Sequence, residues 1–385
     1  MKKRIIYFTI CCLIAVSAQA QTVSTLIEEF PGDGEMSFDS NGDIYVNDSG
    51  ENGNLDGKSV WKVIRSTGDF SMFINDLPIW VVGSAFDLNE NLLVTGWSAG
   101  TISRISPDGS SANTISNGID GAGSLEVDEL GNIYVVEYNS SRVLKFDSNG
   151  DFIESIATGA PIQNPAGLAY VQSTGSFYVS NWTNGDIVEI DADGNMSVFA
   201  SLEFDGVLSV GPIKIFGNYM YATSPQYHKI YRVDMTTQEV SHFAGTGVAS
   251  NIDGDINSAT FNTPTGIGSL DGNTIYIAET FQGTGRLRVI EDVLGIENIA
   301  SKKLKPIIYP NPTVNTLSLK LNATDLASID VAFFDIIGQR IEIPKPKIQF
   351  DRLEFDTSSL SRGVYFLQLN NGNPTFINIL TFIKE

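Results

Sequence analysis

The sequence predicts an all-β chain that forms a six-bladed β-propeller followed by a small immunoglobulin-like β-sandwich. A unit of four short stretches of β type recurs six times. Equivalent positions in its second stretch are separated by 48, 41, 44, 43 and 55 residues, a spacing typical of propeller blades. Near the C-terminus, apolar and polar residues alternate with a period of two, which predicts the sandwich.

The repeat unit is clearest in residues 123–156. Stretches rich in β-branched and aromatic residues are separated there by Asx-Gly turns, which is typical of an antiparallel four-stranded meander. One such sheet cannot bury both faces, so the units must stack around an axis. The aligned residues of the second strands are Tyr45, Leu93, Tyr134, Tyr178, Tyr221 and Tyr276. Glycines suited to the crowded axis begin the innermost strands at Gly34, Gly83, Gly123, Gly167, Gly211 and Gly266.

The sixth unit stops after Ile290 without a fourth strand. Residues 25–30, which precede the first unit, resemble the fourth strands at 152–156 and 196–199. We therefore expect the N-terminal segment to complete the last blade. This closure would remove a free sheet edge.

Several stretches of the sixth unit resemble the NHL repeat. They are Phe243-Ala-Gly-Thr-Gly, Asn251-Ile-Asp-Gly, Ala259-Thr-Phe-Asn, Pro264-Thr-Gly-Ile, Ile275-Tyr-Ile-Ala-Glu and Arg286-Leu-Arg. The match is specific in this unit and looser in the others. It covers about residues 22–292, and it implies a six-bladed propeller.

The first twenty residues have the pattern of a signal peptide. Three cations at positions 2–4 precede an apolar run at 5–16, and Ser17-Ala-Gln-Ala20 provides a cleavage site after Ala20. Both cysteines of the chain lie in this segment. We therefore expect an exported propeller, residues 21–296, that is stabilised without disulfides.

The remainder of the chain is strongly acidic. The formal charge is −21, and removal of the three N-terminal cations would make it −24. Because contacts to phosphate need a basic face, this charge argues against binding to nucleic acid or to an anionic membrane. No later segment is long and apolar enough to span a bilayer. We expect a monomer.

The C-terminal region changes character after a linker predicted at 297–306. Its motifs are Tyr309-Pro-Asn-Pro, Asp335-Ile-Ile-Gly-Gln-Arg, Leu360-Ser-Arg-Gly-Val-Tyr-Phe and Phe382-Ile-Lys-Glu. In this order, they resemble the type A sorting domain of the Bacteroidetes type IX secretion system, over residues 307–385. The resemblance implies that this machinery is a partner, that the protein reaches the cell surface or the medium through the periplasm, and that the tag is usually removed. The alternative is an unrelated immunoglobulin-like module.

No catalytic residue is predicted. Gly96-Trp-Ser-Ala-Gly100 matches the pattern around a hydrolase nucleophile, but that motif requires a strand-to-helix turn and a histidine base. Here it lies between two β stretches, and neither His228 nor His242 has a motif that links it to Ser98. Three runs resemble fragments of calcium loops, although their position between strands predicts turns; they begin at Asp39, Asp147 and Asp191.

A column of residues follows the second strands, on the face at which each innermost strand begins; we call this the top face. Acids and amides in this column lie beside aromatic residues, a combination that suits a sugar or a peptide. The alternative is that these acids cap the adjoining turns. The predicted ligand-binding candidates are Asp48, Trp97, Glu137, Tyr138, Asn181, Trp182 and Glu279, and Phe281 follows the last of them.

The propeller also resembles the gluconolactonase-like enzymes, which hold one divalent ion near the axis. In that family a Gly-Glu pair opens the first inner strand, so the resemblance makes Glu35 a candidate metal ligand. The family's Pro-Asn-Gly element is replaced by Pro165-Ala-Gly167 and Pro264-Thr-Gly266, and the asparagine ligand is missing. The favoured interpretation is a non-catalytic module that binds glycan, peptide or protein and needs no cofactor. The alternative is a metal-dependent lactonase or related hydrolase, which would need Glu35 together with other carboxylates, for which Asp48, Glu137 and Glu279 are the candidates. A structural or adhesive role is a third possibility.

Overall fold

We analysed a computed structural model that describes residues 21–50, 57–78, 80–202, 209–281, 284–291, 293, 307–320, 330–336, 339–341, 343–349, 352–370 and 378–384. The predicted signal peptide and the predicted linker at 297–306 lie outside these residues. The chain divides into two compact units, residues 1–293 and 294–385. Among the described residues, no helix has the length and apolar character needed to cross a bilayer.

The first unit begins with strand β1 (Thr22–Ile27) and continues as five complete antiparallel sheets. Blade 1 contains β2 (Met36–Phe38), β3 (Ile44–Asn47), β4 (Val60–Val63) and β5 (Phe70–Ile74). Blade 2 contains β6 (Val81–Phe86), β7 (Leu92–Gly96), β8 (Thr101–Ile105) and β9 (Ala112–Ser116). Blade 3 contains β10 (Ala122–Val127), β11 (Ile133–Glu137), β12 (Arg142–Phe146) and β13 (Phe152–Thr158).

Blades 4 and 5 repeat the same order. Blade 4 contains β14 (Pro165–Val171), β15 (Ser176–Asn181), β16 (Asp186–Ile190) and β17 (Met196–Ser201). Blade 5 contains β18 (Ile213–Phe216), β19 (Tyr219–Ser224), a 3-10 turn (Pro225–Tyr227), β20 (Lys229–Asp234) and β21 (Val240–Ala244). A two-residue strand, β22 (Gly254–Asp255), then precedes blade 6, which contains β23 (Pro264–Gly268), β24 (Ile275–Phe281) and β25 (Thr284–Glu291).

The N-terminal strand closes the ring, as predicted. Strand β1 pairs antiparallel with β25, with Val23 opposite Ile290, and so becomes the fourth strand of blade 6. The short strand β22 pairs with its other edge. The innermost strands of successive blades contact one another, including β23 with β2. The described residues therefore form six blades, which confirms the predicted fold class.

The core of the propeller lies between the blades. Six clusters of buried apolar residues occur among the described residues of this unit, and each combines side chains from two neighbouring blades. The second strands are buried on both faces, whereas the first three residues of β5 and β9 are exposed. Close approach at the axis explains one of the predicted glycines, because a Cβ on Gly83 would lie 2.6 Å from the carbonyl oxygen of Gly123.

The loops that resemble calcium sites are turns, as predicted. One carboxylate oxygen of Asp39 accepts the N–H groups of Asn41 and Asp43 at 3.0 and 2.9 Å. Asp147 and Asp191 accept hydrogen bonds from the residues two and four positions later in the same way. These carboxylates fix the turn between two strands of a blade.

The second unit is a β-sandwich. One sheet has the order β26 (Ile307–Tyr309), β27 (Thr316–Lys320), β31 (Arg352–Asp356), β30 (Lys347–Gln349). The other has the order β29 (Arg340–Ile341), β28 (Asp330–Phe334), β32 (Gly363–Asn370), β33 (Asn378–Lys384). Residues of both sheets, such as Phe355 and Phe382, share one buried cluster. This arrangement confirms the predicted immunoglobulin-like sandwich.

Candidate functional site

A cavity of about 420 Å³ opens on the top face of the propeller, and we call it the top pocket. Its volume is suited to a small organic group. The lining is mostly apolar and contains three of the four tryptophans of the chain. The lining residues are Gly34, Glu35, Ser49, Gly50, Trp80, Val82, Trp97, Tyr138, Ala166, Trp182, Pro212, Pro225 and Thr265.

The aromatic wall comes from equivalent positions in three blades. Trp97, Tyr138 and Trp182 each follow the last residue of a second strand. The backbone N–H of each donates to a carbonyl in the loop that enters the same blade, at 2.8–3.0 Å. The rings of Trp97 and Tyr138 meet edge to face, with centroids 4.7 Å apart. The blade repeat therefore presents aromatic side chains to one pocket from successive blades.

The polar candidates do not line this pocket. Glu137, Asn181 and Glu279 are buried and are not among its lining residues. Each accepts a hydrogen bond of 2.9 Å from a backbone N–H in the loop that enters its own blade. Successive side chains of a strand face opposite sides. A buried polar residue that bonds to the loop is therefore followed by a residue that lines the pocket.

Asp48 has a similar position in blade 1. Its carboxylate accepts hydrogen bonds from the N–H of Gly50 and the hydroxyl of Ser59, at 3.0 and 3.1 Å. Burial raises the pKa of Asp48 to about 6, although the bond from Gly50 opposes this shift. The next residue, Ser49, lines the top pocket. The structure thus divides the predicted ligand-binding set into aromatic residues at the pocket and polar residues that hold the loops.

Sequence reasoning missed Trp80, which also lines the top pocket. Its side chain is 47% exposed, and its backbone is left-handed, with φ 62°. It belongs to the segment before β6, where its carbonyl accepts the N–H of Trp97, whereas Gly121 and Asn164 take the equivalent place in blades 3 and 4. A tryptophan in a loop beside an expected axial opening is the only signal that the sequence offered.

Glu35 lies at the pocket and is 2% exposed. Its Oε2 atom has no hydrogen-bond partner among the described residues. Burial raises the pKa of Glu35 to about 7, even though the positive charge of Lys214 opposes this shift. The carboxyl group is therefore a mixture of acid and carboxylate near neutral pH.

The surroundings of Glu35 do not fit the divalent ion of the gluconolactonase-like enzymes. The described part of the chain contains no group of three His, Cys, Asp or Glu side chains that could hold a metal. Ala166 and Thr265, which replace the expected asparagine, both line the pocket, but alanine has no side-chain donor atom. Asp48, Glu137 and Glu279 are occupied by the contacts given above.

The serine of the hydrolase-like motif does not lie in the strand-to-helix turn that such a nucleophile requires. The Gly96–Gly100 motif is the turn between β7 and β8. Both histidines lie on blade 5, where they contact the backbone. Nδ1 of His228 accepts the N–H of Thr263 at 3.1 Å, and Nε2 of His242 lies 2.6 Å from the carbonyl oxygen of Gly245.

Replacing Glu35 with glutamine is expected to remove a pH dependence of stability. The ordinary pKa of 4.5 rises to about 7 in the folded protein, so folding favours the protonated form. The associated stability is complete below pH 4.5 and is lost as the pH rises through 7. As the pH rises from 4.5 to 8, the unfolding free energy of Glu35→Gln should therefore increase by about 3 kcal/mol relative to that of the unchanged protein.

Urea unfolding followed by tryptophan fluorescence measures this difference, because all four tryptophans belong to the propeller. Glu154→Gln on exposed β13 is the control. Equal pH profiles for Glu35→Gln and the unchanged protein would contradict the prediction.

The C-terminal unit matches a known family. Residues 307–381 match the model of the secretion system C-terminal sorting domain. This match indicates export by type IX secretion, to the cell surface or the medium, and interaction of the domain with that machinery. No curated protein matches the sequence.

Several solved structures are similar to the chain. One, a protein of unknown function from Bacteroides thetaiotaomicron, has 18% identity and a TM-score of 0.57, and the match covers 71% of this chain and 76% of that one. A gluconolactonase from Xanthomonas campestris has 15% identity, a TM-score of 0.55 and coverage of 70% and 89%. Virginiamycin B lyase from Staphylococcus aureus has 15% identity, a TM-score of 0.52 and coverage of 71% and 99%. At these identities the similarity supports the propeller fold and not an activity.

Proposed function

We propose that this chain is an exported binding protein whose top pocket holds a group of a glycan or peptide ligand. Residues 1–20 would be its signal peptide, removed after Ala20, and residues 21–296 would form the NHL-type binding domain. Residues 307–385 would direct the monomer to type IX secretion in a bacterium of the Bacteroidetes. The binding domain would act without a cofactor.

The observation that carries the proposal is the convergence of Trp80, Trp97, Tyr138 and Trp182 on one pocket. Large rings give much contact area at a low entropic cost, and their faces cover the apolar faces of sugar rings or peptide side chains. Trp80 is half-exposed in spite of its size. An accessible aromatic surface on an otherwise acidic protein is typical of an interaction site.

The enzyme alternative has less support. A lactonase of the gluconolactonase type needs a Lewis acid to polarise the carbonyl group, and the described residues offer Glu35 alone at the pocket. A single acid that cannot hold a metal ion by itself can still contact a bound molecule. We therefore assign Glu35 to ligand recognition in this proposal.

Alanine substitution of the aromatic wall is expected to weaken ligand binding. Trp97→Ala and Trp182→Ala should each lower the affinity about tenfold, because a lost ring contact costs about 1.4 kcal/mol. Arrays of glycans and peptides identify ligands of the chain from residue 21, and calorimetry gives their affinities.

Trp61→Phe is the matched control. Trp61 lies in β4, outside the top pocket, and its indole N–H donates to Ser59 at 3.1 Å. The control should bind as the unchanged protein does. If both alanine variants kept the affinity of the unchanged protein, the ligand would be bound outside the top pocket.

A further inference from the structure

The chemical class of the ligand can be inferred from the charges beneath the top pocket. Glu35 is the only ionisable acid or base among the described lining residues other than the Tyr138 phenol. Its Oε2 atom is buried and accepts no hydrogen bond among the described residues, so a positive charge in the pocket would act on a carboxylate that the protein satisfies only in part. Burying a carboxylate that is incompletely satisfied is costly.

The walls around this carboxylate suit a positive charge. The faces of aromatic rings carry negative potential, and tryptophan attracts organic cations most strongly. Three tryptophans and a tyrosine line the pocket. An aromatic wall with an acid beside it is the arrangement that recognises ammonium groups.

The other charged groups near Glu35 do not cancel its charge. Lys214 on β18 pairs with Glu126 on β10, with 2.7 Å between Nζ and Oε1. Both line a second cavity, of about 380 Å³, toward which the innermost strands run. Because Lys214 is neutralised by Glu126, ionisation of Glu35 gives this group of three a net charge of −1.

We propose that the top pocket is specific for an organic ammonium group, held between the aromatic walls and the carboxylate of Glu35. The ammonium group could belong to an amino sugar or to a lysine-type side chain, and its chemistry is the same in both. This inference rests on the proposed function, since it names the ligand class of the same pocket.

The pH dependence of binding distinguishes this ligand class from a neutral one. With a pKa of about 7, Glu35 is mostly protonated at pH 6 and mostly ionised at pH 8. Lys214 stays charged, because the carboxylates of Glu126 and Glu35 outweigh its burial and raise its pKa. A permanent cation should therefore bind about tenfold more tightly at pH 8 than at pH 6, whereas a neutral ligand that accepts the Glu35 proton should bind more weakly.

The test uses two matched pairs of probes and the chain from residue 21. The first pair is N-trimethylglucosamine and N-acetylglucosamine. The second is Nα-acetyl-Nε-trimethyllysine amide and Nα-acetylnorleucine amide. The trimethylated groups keep their charge at every pH, so only the protein titrates. Affinities at pH 6 and pH 8 come from calorimetry, and Glu35→Gln and Trp97→Ala are measured beside the unchanged protein.

We expect the charged member of at least one pair to bind at least tenfold more tightly than its neutral partner at pH 8. This preference and the rise with pH should disappear in Glu35→Gln, and the sugar and lysine pairs identify the source of the group. Equal binding within both pairs, affinity that falls as the pH rises, or no binding by any probe would overturn the inference. If the arrays then identified a neutral ligand whose binding is lost in Trp97→Ala, the proposed function would stand without the inference. Arrays that identified no ligand would overturn both.

Discussion

A chain that begins at residue 31 is expected to lose the cooperative unfolding transition of the propeller. Residues 21–30 supply the strand that closes blade 6, and they bury Val23, Ile27 and Phe30 to within 8% exposure. Burial of one such side chain contributes about 1.5–3 kcal/mol, and small domains are stable by only about 5–15 kcal/mol. The truncation would also leave β25 as a free edge, which favours aggregation.

Urea unfolding of chains that start at residue 21 and residue 31 tests this expectation. Leu26→Ala is the control, because Leu26 lies on the same strand but is 38% exposed. It should change the unfolding free energy by about 0.5 kcal/mol or less. If the shorter chain kept the midpoint and slope of the longer one, the N-terminal strand would not contribute to closure.

Arg288→Met is expected to cost about 3–5 kcal/mol of unfolding free energy, the effect of breaking a buried ion pair. Arg288 is fully buried in blade 6 and lies 2.6 Å from Glu279 and 2.7 Å from Asp253. Asp253 also accepts a hydrogen bond from the N–H of Thr25 at 2.9 Å, so the same network holds the closing strand. Burial raises the pKa of Glu279 against the influence of Arg288, and without the arginine Glu279 would stay protonated to a higher pH. The variant should therefore be least stable at high pH.

Arg142→Met is the matched control for this measurement. Arg142 pairs with Glu137, the equivalent acid of blade 3, but its side chain is 37% exposed. Glu137 is itself buried, but the guanidinium of Arg142 is partly exposed to water, so this variant should lose less unfolding free energy than Arg288→Met. Equal losses for the two variants would contradict the role assigned to the buried network.

The repeat made the fold predictable, whereas the site was only partly so. Tyr134 and its equivalents all lie on second strands, because each blade must bury the same position against its neighbours. The polar column and the aromatic residues that follow it remain candidates. They lie in different surroundings, because a difference of one residue at the end of a strand changes the face on which a side chain lies. Glu137 and Tyr138 are adjacent in sequence but have different surroundings.

The contact between Lys214 and Glu126 could not be predicted from the repeat. The two residues are 88 positions apart and come from blades 3 and 5, which are not neighbours in the ring. Their meeting depends on the narrowness of the axis. The available signal was the presence of charged residues within innermost strands. Those strands form the edge of each blade that borders the axis.

Closure by the two ends of the propeller chain has a consequence for the order of synthesis and folding. Arg286 of β25 bonds to Glu28, 258 positions earlier, so the last blade cannot form until nearly the whole propeller has been made. Contacts over such long separations slow folding, because the entropy of the intervening chain is lost before the contact forms. The sorting domain follows in the sequence. A newly made molecule therefore carries the sorting domain only after both strands of the closing pair have been synthesised, and a polypeptide interrupted before that point would lack this domain.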